Sequence, residues 1–350
     1  MGATNDGLKP AISVCIVTAR RSPHLRRCLA SLKAQVEAPP WELLVSANGD
    51  SAVADEVLAT FPKAVVRFTP RANPGNARNL VVPLATGELI LFLDDDIVAE
   101  PHLLSRLHRL SQAHPEVSVF GGPNLTPPGS SRFQFVQGAV LSSIVSSGPV
   151  RRRYGPHPAA KADERFFILC NLAVRRRAMV PFEHDLVCAE ENRLLTELGR
   201  RGGAMLYDPS LIVHHERRPD LRGFVQQLFK YGRGRGQVMA RDPRSIRSAH
   251  LAPALLLVYL LALPFVGAAI PVSLFGAAVY VAVVVANGVV VALTLKRASA
   301  LPMAAGMTFL VHTVYGAGIW SGLWGALTRS SHAPVPAEQS ASTDAEVLAE

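Results

Sequence analysis

Cysteine and lysine are scarce in this 350-residue chain. Its four cysteines, Cys15, Cys28, Cys170 and Cys188, form no CxxC pair, which excludes a zinc ribbon and a disulfide framework and predicts reduced, mostly buried thiols. Only six of the 36 basic residues are lysine, an arginine bias typical of a GC-rich bacterial genome. The opening MGATNDGLKPA lacks the apolar segment of a secretory signal, so we expect the hydrophilic part to stay in the cytoplasm.

Charge is missing from two long stretches near the end of the chain. Residues 251–295 and 298–328 contain no Asp, Glu, Lys or Arg, and each stretch exceeds the ~20 residues that cross a bilayer as a helix. A soluble core helix of that length has no place in a domain this small. The predicted spans are Leu251–Ile270, Val272–Leu295 and Leu301–Leu327. Three spans put the tail outside the cell, whereas a re-entrant or interfacial third segment keeps it inside.

The basic residues lie before the apolar stretches. Of the 36 Lys and Arg residues, 33 precede residue 251, and nine of these fall between Arg217 and His250. Together with Lys296 and Arg297 they predict that this side of the membrane is cytoplasmic. A basic excess attracts nucleic acid, acidic lipid or phosphorylated ligands alike. Its position beside the apolar stretches favours lipid headgroups, and nucleic acid is not an expected partner.

The first half of the chain alternates short β-branched runs with amphipathic ones. This pattern predicts an α/β fold with a parallel sheet covered on both faces. The predicted strands are Ala11–Thr18, Trp41–Ser46, Ala64–Thr69, Glu88–Leu93, Val117–Phe120 and Phe166–Val174. The predicted helices are His24–Gln35, Ala52–Thr60, Pro101–His114 and Glu190–Arg201, with a loop entering a helix at Ala72–Ala85 and a loop at Gly121–Ser131.

Three acids, Asp94, Asp95 and Asp96, follow the fourth predicted strand. In open α/β folds, ligands bind at the carboxyl edge of the sheet, where this strand ends. Adjacent carboxylates repel each other, and a divalent cation with oxygen ligands relieves that repulsion. The alternative is that the triplet only caps the next helix or faces water. We favour a Mg²⁺ or Mn²⁺ site because of the strand that precedes the acids.

Seven segments in order resemble the inverting glycosyltransferases of family 2, and together they cover about Ile12 to Gln237. They are ISVCIVT from Ile12, NPGNARN from Asn73, ATGELILFLDDDIVAEPHLL from Ala85, CNLAVRR from Cys170, AEENRLLTELGRRG from Ala189, YDPSLIVHH from Tyr207 and QQLFKYGRG from Gln226. The resemblance implies the GT-A nucleotide-sugar fold, which is Rossmann-like with a mostly parallel sheet, here followed by transmembrane α-helices.

The resemblance also implies roles for individual residues. Asp94 and Asp96 are the expected metal ligands, and His215 matches a histidine that approaches the metal or diphosphate, although a His214-His215 pair at a strand end is often structural. The expected donor-binding residues are Thr18, Asn48, Asp50, Asn73, Arg78, Asn79, Asp94 and Asp95. The family's PTYN and DNGS motifs are VTAR (Val17–Arg20) and ANGD (Ala47–Asp50) here, so the nucleotide's identity stays open.

The resemblance places the general base in an acidic pair at the start of a helix, here Glu190 and Glu191. An attacking acceptor hydroxyl must lose its proton, and a positioned carboxylate can take it. Glu191 matches the expected position, and Glu190 is the alternate. The competing interpretation is that both acids only favour the helix dipole. The arginine run Arg151–Arg153 is either a lid over the diphosphate or, in the interpretation we favour, a solvated loop.

A segment before the apolar stretches, Gln227–Tyr231, resembles the family's QxxRW motif, with Lys230 for Arg and Tyr231 for Trp. In processive members this motif lies beside acceptor and nucleotide, and losing the bidentate arginine puts processivity in doubt. The segment also suits an interfacial amphipathic helix. Its lipid side would be Leu228, Phe229 and Tyr231, and Lys230, Arg233 and Arg235 would face anionic headgroups. The two interpretations are compatible. Gln227, Lys230 and Tyr231 are therefore candidate acceptor or nucleotide contacts.

Taken together, the sequence predicts a multi-pass protein of the inner (plasma) membrane. Its expected parts are a polar N-terminus (1–10), a GT-A domain (11–240), a basic juxtamembrane segment (241–250), a transmembrane region of about three helices (251–328) and a disordered tail (329–350). The expected activity is metal-dependent, inverting sugar transfer from a nucleotide-diphosphate sugar to a hydroxyl of a lipid-linked or glycan acceptor. The alternatives are a polyprenyl-phosphate sugar synthase and a non-catalytic membrane scaffold or transport partner. Membrane lipid and envelope-assembly proteins complete the expected partners.

Overall fold

The computed structural model describes residues 9–183, 190–266 and 271–329. The side chains of Glu190, Asn192, Arg244, Pro271 and Arg329 are outside this description. The expectations for the first eight residues, for the tail from residue 330 onward, for Cys188 and for the carboxylate of Glu190 therefore lie outside the described residues.

The described chain alternates strands and helices through its first half and is helical at its end. The strands are β1 Ile12–Thr18, β2 Trp41–Asn48, β3 Val65–Thr69, β4 Leu89–Asp94, β5 Ile97–Ala99, β6 Val117–Gly121, β7 Asn124–Leu125, β8 Ala160–Lys161, β9 Leu172–Arg175, β10 Ala204–Tyr207 and β11 Val213–His215. The helices are α1 Pro23–Lys33, α2 Val53–Thr60, α3 Pro74–Val81, α4 Leu103–Ala113, α5 Arg132–Leu141, α6 Ile144–Ser147, α7 Glu190–Arg200, α8 Leu221–Arg241, α9 Ser248–Val266, α10 Pro271–Thr294 and α11 Leu301–Arg329.

Eight strands form the main sheet in the order β3-β2-β1-β4-β9-β6-β10-β8. The first four lie parallel, as the alternation predicted, while β9 runs antiparallel to β4 and β6. A second sheet, β5-β11-β7, sets His215 of β11 opposite Ile97 of β5. Because β5 begins directly after the three acids, this pairing brings His215 to them. The predicted mostly parallel α/β fold is confirmed.

Apolar residues cover both faces of the main sheet. On one face α1 buries Leu25, Cys28, Leu29 and Leu32, the residues that its predicted helical spacing brings together. On the other face Phe92, Phe182 and Tyr207 belong to a second buried cluster. Burying each large apolar side chain contributes roughly 1.5–3 kcal/mol, so the two clusters hold the carboxyl edge of the sheet in place.

The strand predicted at Phe166–Val174 is wrong in its first half. Strand β9 begins only at Leu172, after a helical turn at Leu169–Asn171. The turn forms because the Asn171 side chain, buried, donates to the carbonyl oxygens of Leu211 at 2.7 Å and Pro123 at 3.4 Å. The contact is between residues far apart in sequence, so a local apolar pattern does not reveal it.

A helix also follows the predicted loop at Gly121–Ser131. Helix α5 starts with a capping box, in which Ser131 Oγ accepts from the backbone N–H of Gln134 and the Gln134 side chain accepts from the backbone N–H of Ser131. The predicted loop itself contains the short strand β7. Helix α5 was not predicted, and its buried face joins the apolar C-terminal helices in one cluster through Val136 and Val140.

Two helices of the described chain are long and apolar enough to cross a membrane, judged by length and composition: Ser248–Val266 and Val272–Thr294. The third predicted segment is also helical, as α11, but it packs along α8. A Cβ added at Gly236 would lie 2.2 Å from the carbonyl oxygen of Ile319, and one at Gly318 would lie 2.4 Å from that of Phe229. The two backbones therefore touch, which ties α11 to the basic helix α8.

Buried polar contacts also join α6 to the apolar helices α10 and α11. The Asn287 amide of α10 donates to Thr308 Oγ1 of α11 at 2.8 Å and to Ser146 Oγ of α6 at 3.2 Å. His312 Nε2 of α11 lies 2.8 Å from the carbonyl oxygen of Val145. These contacts satisfy polar groups on apolar helices, where an unpaired group is costly. Helix α6 is thus fixed between α10 and α11.

The close approach of α8 and α11 predicts that Gly236→Ala is destabilising. The new methyl group meets the Ile319 carbonyl oxygen at 2.2 Å, so the helices must separate, at a cost of about 1–3 kcal/mol. The matched control is Gly325→Ala on α11, where among the described residues no atom beyond its own helix backbone lies within 4 Å of the new Cβ and alanine favours the helix. Thermal unfolding in detergent should show a lower midpoint for Gly236→Ala only. Equal midpoints for the two variants would contradict the contact.

Candidate active site

The three acids lie at the carboxyl edge of the sheet, as the sequence predicted. Asp94 is the last residue of β4, and Asp95 and Asp96 form the turn into β5. The parallel register pairs Val17 with Asp94, so the end of β1 adjoins the turn. Thr18 Oγ1 donates to Asp95 Oδ2 at 2.5 Å. Two neighbouring strand ends thus shape the acidic turn.

Two buried basic side chains flank the acidic turn. Arg78 Nη2 lies 3.6 Å from Asp94 Oδ1, and the guanidinium sits 5.7 Å from the centre of the Phe182 ring. His215 Nε2 lies 3.0 Å from Asp96 Oδ1 and 3.9 Å from Asp94 Oδ2. Arg78 therefore contacts Asp94, and His215 contacts both Asp94 and Asp96.

The carboxyl groups of the turn differ in their titration. Burial opposes ionisation of Asp96, but His215, Arg218 and His24 outweigh it and lower its pKa to about 2. Burial raises the pKa of Asp95 to about 6, against the lowering effect of the Thr18 hydrogen bond and with further raising by Asp96 and Asp94. Ionised Asp95 therefore costs stability above about pH 6. A cation bound at the turn would offset that cost.

The donor atoms around Asp94 fit a divalent cation. A carboxylate oxygen of Asp94, Cys170 Sγ and a ring nitrogen of His215 all lie within 4.8 Å of one another. Carboxylate and imidazole are ligands for Mg²⁺, Mn²⁺ and other divalent metals, and thiolate favours the softer ones. Cys170 was not predicted for this site. The helical turn before β9 brings it there, and burial together with Asp94 and Asp96 raises the pKa of its thiol.

Three of the predicted donor-binding residues shape the surrounding loops. Asn48 donates to the Ala72 carbonyl oxygen at 3.0 Å and accepts from the Ala72 N–H at 2.7 Å. Asp50 accepts from the Ala52 N–H at 3.0 Å, which turns the chain into α2. Asn73 is the N-cap residue of α3. These contacts position the loops beyond β2 and β3, and direct donor contacts by the three residues stay predictions.

Asn79 is fixed by backbone hydrogen bonds. Its amide donates to the Phe182 carbonyl oxygen at 2.8 Å and accepts from the Phe182 N–H at 2.9 Å. This pairing holds the chain just before residues 184–189, which lie outside the described residues, and Phe182 in turn packs under Arg78. Asn79 thus positions Phe182, which in turn contacts the guanidinium of Arg78. The predicted contact of Asn79 with the donor stays a prediction.

The candidate base Glu191 is buried in the first turn of α7. Arg153 Nη1 lies 4.0 Å from Glu191 Oε1. Arg153 is itself held by its bonds to the carbonyl oxygens of Arg165 at 2.8 Å and Glu164 at 2.9 Å. The interpretation of Arg151–Arg153 as a solvated loop is therefore wrong for Arg153, which is buried beside Glu191. The hydrogen bonds to the two carbonyl oxygens and the ion pair with Glu191 stabilise its guanidinium there.

The Gln227–Tyr231 segment lies on α8 and divides into two faces. With the Gln227 amide oxygen facing Arg218, it accepts from Arg218 Nε at 3.2 Å and from the Tyr231 hydroxyl at 3.2 Å. Burial raises the pKa of Tyr231, Tyr154, Asp94 and Cys170 raise it further, and Arg218 opposes them. Gln227 therefore lies beside Arg218 and Tyr231, whereas Phe229 and Lys230 are exposed. Leu228 is buried in the cluster shared with the C-terminal helices, so its predicted position at the lipid surface is wrong.

Arg217 and Arg218 are site residues that the sequence prediction missed. Arg218 helps to lower the pKa of Asp96 and contacts Gln227. Arg217 is buried, donates to the Asn124 carbonyl oxygen at 2.6 Å and lies 5.3 Å from the centre of the Tyr154 ring. Their signal in the sequence is the run HHERR from His214, in which two arginines follow the candidate metal histidine after one intervening residue, Glu216.

Residues 13–179 match the family model "Glycosyl transferase family 2". The chain carries a family 2 glycosyltransferase domain. This glycosyltransferase is 25% identical over 261 residues to the succinoglycan biosynthesis protein ExoM of Rhizobium meliloti (strain 1021), over 70% of this chain and 80% of ExoM. It is 30% identical over 156 residues to the uncharacterized glycosyltransferase YwdF of Bacillus subtilis (strain 168), over 41% of this chain and 58% of YwdF.

The fold of the glycosyltransferase is similar to a solved structure of the mannosyltransferase PcManGT from Pyrobaculum calidifontis in complex with GDP-Man and Mn²⁺. The similarity covers 91% of this chain and 88% of PcManGT, with a TM-score of 0.62 and 18% sequence identity. The resemblance to the GT-A fold of family 2 is confirmed. The glycosyltransferase activity expected from the sequence agrees with the family match and with the named relatives.

Proposed function

We propose that this protein is a membrane-anchored, inverting glycosyltransferase that uses a divalent cation and transfers a sugar from a nucleotide-diphosphate donor to an acceptor hydroxyl. The observation that carries the proposal is the acidic turn at the carboxyl edge of the sheet, flanked by Arg78 and His215. The neighbour PcManGT was solved with a nucleotide sugar and Mn²⁺, which supports this choice of donor and metal.

Asp94, Asp96 and His215 are the residues that would hold Mg²⁺ or Mn²⁺. When bound, the cation supplies positive charge to the leaving diphosphate. Arg78 and His215 keep the carboxylates in position for it, and Arg218 adds positive charge at the same turn. Thr18 and Asp95 close the turn towards β1.

Glu191 is the proposed general base. A carboxylate that takes the acceptor proton must be ionised, and the guanidinium of Arg153 at 4.0 Å favours the ionised form. Attack by the deprotonated hydroxyl from the face opposite the diphosphate inverts the anomeric centre.

The apolar helices support a membrane location. Helices α9 and α10 suit two crossings, and the nine basic residues from Arg217 to His250 precede the first. We propose that the catalytic domain faces the cytoplasm at the inner membrane, where nucleotide sugars are made, and that the acceptor is lipid-linked or a glycan. Membrane lipid is the immediate partner, and envelope-assembly proteins are further candidates.

The proposal is tested with the full chain in lipid nanodiscs. Nucleotide sugars with different bases and sugars are offered with Mn²⁺ or Mg²⁺ and with three acceptors: a prenyl phosphate, a prenyl-diphosphate-linked sugar and an oligosaccharide. Release of nucleoside diphosphate and the anomeric configuration of the product are measured. A new glycosidic bond of inverted configuration supports the proposal. Sugar attached directly to the lipid phosphate indicates a polyprenyl-phosphate sugar synthase, and no turnover with any pair indicates a scaffold.

The contact between α8 and α11 leads to a topological prediction. Because α11 is tied to the basic helix α8, we expect two crossings and a tail on the cytoplasmic side. Single cysteines at Ser248, Ser299 and Ser340, in a background with the four native cysteines replaced, should resist a membrane-impermeant thiol reagent in intact cells and react after lysis. If only the cysteine introduced at position 340 is labelled in intact cells, the chain crosses the membrane three times. Labelling of the cysteine introduced at position 248 in intact cells contradicts the cytoplasmic orientation of the basic helix.

A further inference from the structure

We propose that Cys170 is a metal ligand and that it gives this site a preference for thiophilic divalent cations such as Co²⁺, Zn²⁺ and Cd²⁺ over Mg²⁺. The inference rests on the proposed metal dependence and extends it to a residue that neither the sequence pattern nor the comparisons assign. It concerns which cation the chain selects and how tightly it holds that cation.

The geometry of three side chains carries the inference. The ligand atoms of Asp94, Cys170 and His215 lie within 4.8 Å of one another. Bonds to a metal of about 2.0–2.3 Å need each atom to move inward by at most about 0.8 Å, which side-chain rotations provide. Cys170 is fully buried and His215 is 6% exposed, whereas Asp94 is only partly buried. The cluster therefore opens to ligands on the Asp94 side alone.

The fold fixes the thiol and the imidazole together. Cys170 lies in the helical turn Leu169–Asn171, which is anchored by the Asn171 amide to the Leu211 carbonyl oxygen at 2.7 Å. Leu211 is two residues before β11, the strand that ends at His215. One buried hydrogen bond therefore sets the distance between the segments that carry the two ligands. Such support from outside the ligand set is what metal sites require.

The other described cysteines lie outside the cluster and provide matched controls. Cys28 is buried on α1, and its thiol donates to the backbone oxygen of Asp94 at 3.6 Å. Cys15 is buried within β1. Neither belongs to the Asp94–Cys170–His215 group. Cys188 is outside the described residues, so its variant is needed to exclude it as the sulfur ligand.

The consequence follows from ligand chemistry. Mg²⁺ prefers oxygen ligands in an octahedron and gains little from sulfur or imidazole. Co²⁺, Zn²⁺ and Cd²⁺ bind more tightly when sulfur and imidazole are among their ligands. The thiol loses its proton when it coordinates the metal. Removing the sulfur should weaken binding of the thiophilic cations by at least about tenfold, with the Mg²⁺ affinity changed by less than about threefold.

The test is optical absorption of the full-length protein titrated with Co²⁺. Wild type should show the visible bands of bound Co²⁺ together with a near-ultraviolet sulfur-to-cobalt charge-transfer band. Cys170→Ser and Cys170→Ala should lose the charge-transfer band, while Cys15→Ser, Cys28→Ser and Cys188→Ser keep it. Calorimetry with Cd²⁺ and Mg²⁺ gives the affinity ratio, and circular dichroism checks that each variant is folded.

The outcomes separate this inference from the proposed function. Visible Co²⁺ bands without the charge-transfer band in wild type overturn the role of Cys170 and leave the metal-dependent transferase standing. Loss of the charge-transfer band in Cys188→Ser instead of the Cys170 variants also overturns it. No binding of Co²⁺, Mn²⁺ or Mg²⁺ by wild type overturns both. If the Cys170 variants fail to fold, the wild-type band and its survival in the three other serine variants identify Cys170 by elimination.

Discussion

Glu191→Gln lowers the turnover of sugar transfer by about 10²-fold or more and leaves donor affinity nearly unchanged. The amide keeps the size of the carboxylate but cannot accept the acceptor proton, and general-base catalysis contributes about 10²–10⁴-fold. Arg153, 4.0 Å away, is held by two backbone carbonyls and stays in place in the variant. Steady-state kinetics should show the loss in kcat, with little change in the KM for donor.

Two further variants on α7 test the assignment. Glu197→Gln is the matched control, because Glu197 lies on the same helix but outside the site. Its carboxylate accepts from Arg201 Nε at 2.8 Å. It should retain wild-type turnover. Glu190→Gln tests the neighbouring acid. If Glu190→Gln loses turnover and Glu191→Gln does not, the base is Glu190 and the resemblance is displaced by one residue.

The acidic turn was predictable because its causes are local. A short apolar run from Leu89 ends in three acids, and a strand in a parallel sheet must deliver its last residues to the carboxyl edge. The approach of His215 also followed from the family resemblance, and the pairing of β11 with β5 gives its physical reason. For the acids, one segment read alone contains the information about where its side chains lie, whereas for His215 the information came from the resemblance.

Arg153 and Cys170 could not be predicted, because each owes its place to a distant segment. Arg153 belongs to a run of three arginines that looks solvated, and only the carbonyls of Glu164 and Arg165 bring it under Glu191. Cys170 interrupts an apolar run that looks like a continuous strand, and only the hydrogen bond from Asn171 to Leu211 turns it towards Asp94. Hydropathy periodicity carries no information about such contacts.

The third apolar segment illustrates the same limit. Residues 298–328 are uncharged and long enough to cross a bilayer, as the sequence indicated. Yet Gly318 and Gly322 face Gly232 and Gly236 of α8, and each lacks the Cβ that would keep the helices apart. An uncharged helix can pack on protein as well as lie in lipid, and composition alone does not distinguish the two. Glycines spaced four apart on both helices were the available signal.

Asp94→Asn abolishes the metal dependence of nucleoside diphosphate binding and lowers sugar transfer by about 10²-fold or more. The amide keeps the shape of the side chain but removes the charge that a divalent cation requires. A bound cation supplies several kcal/mol of charge stabilisation, and each ~1.4 kcal/mol is tenfold in rate. Asp94 should show this loss in full because its carboxylate lies between Arg78, His215 and Cys170. Calorimetry with and without Mn²⁺ measures the binding.

Asp96→Asn should behave in the same way, since its carboxylate lies 3.0 Å from His215 at the same turn. The matched control is Asp55→Asn on α2, where the carboxylate is exposed and remote from the turn, and it should bind like wild type. The unfolding midpoint of each variant is measured, because Asp94→Asn also removes a partner of the buried Arg78. Unchanged Mn²⁺-dependent binding in a folded Asp94→Asn variant would place the cation elsewhere and remove the acidic turn as the metal site.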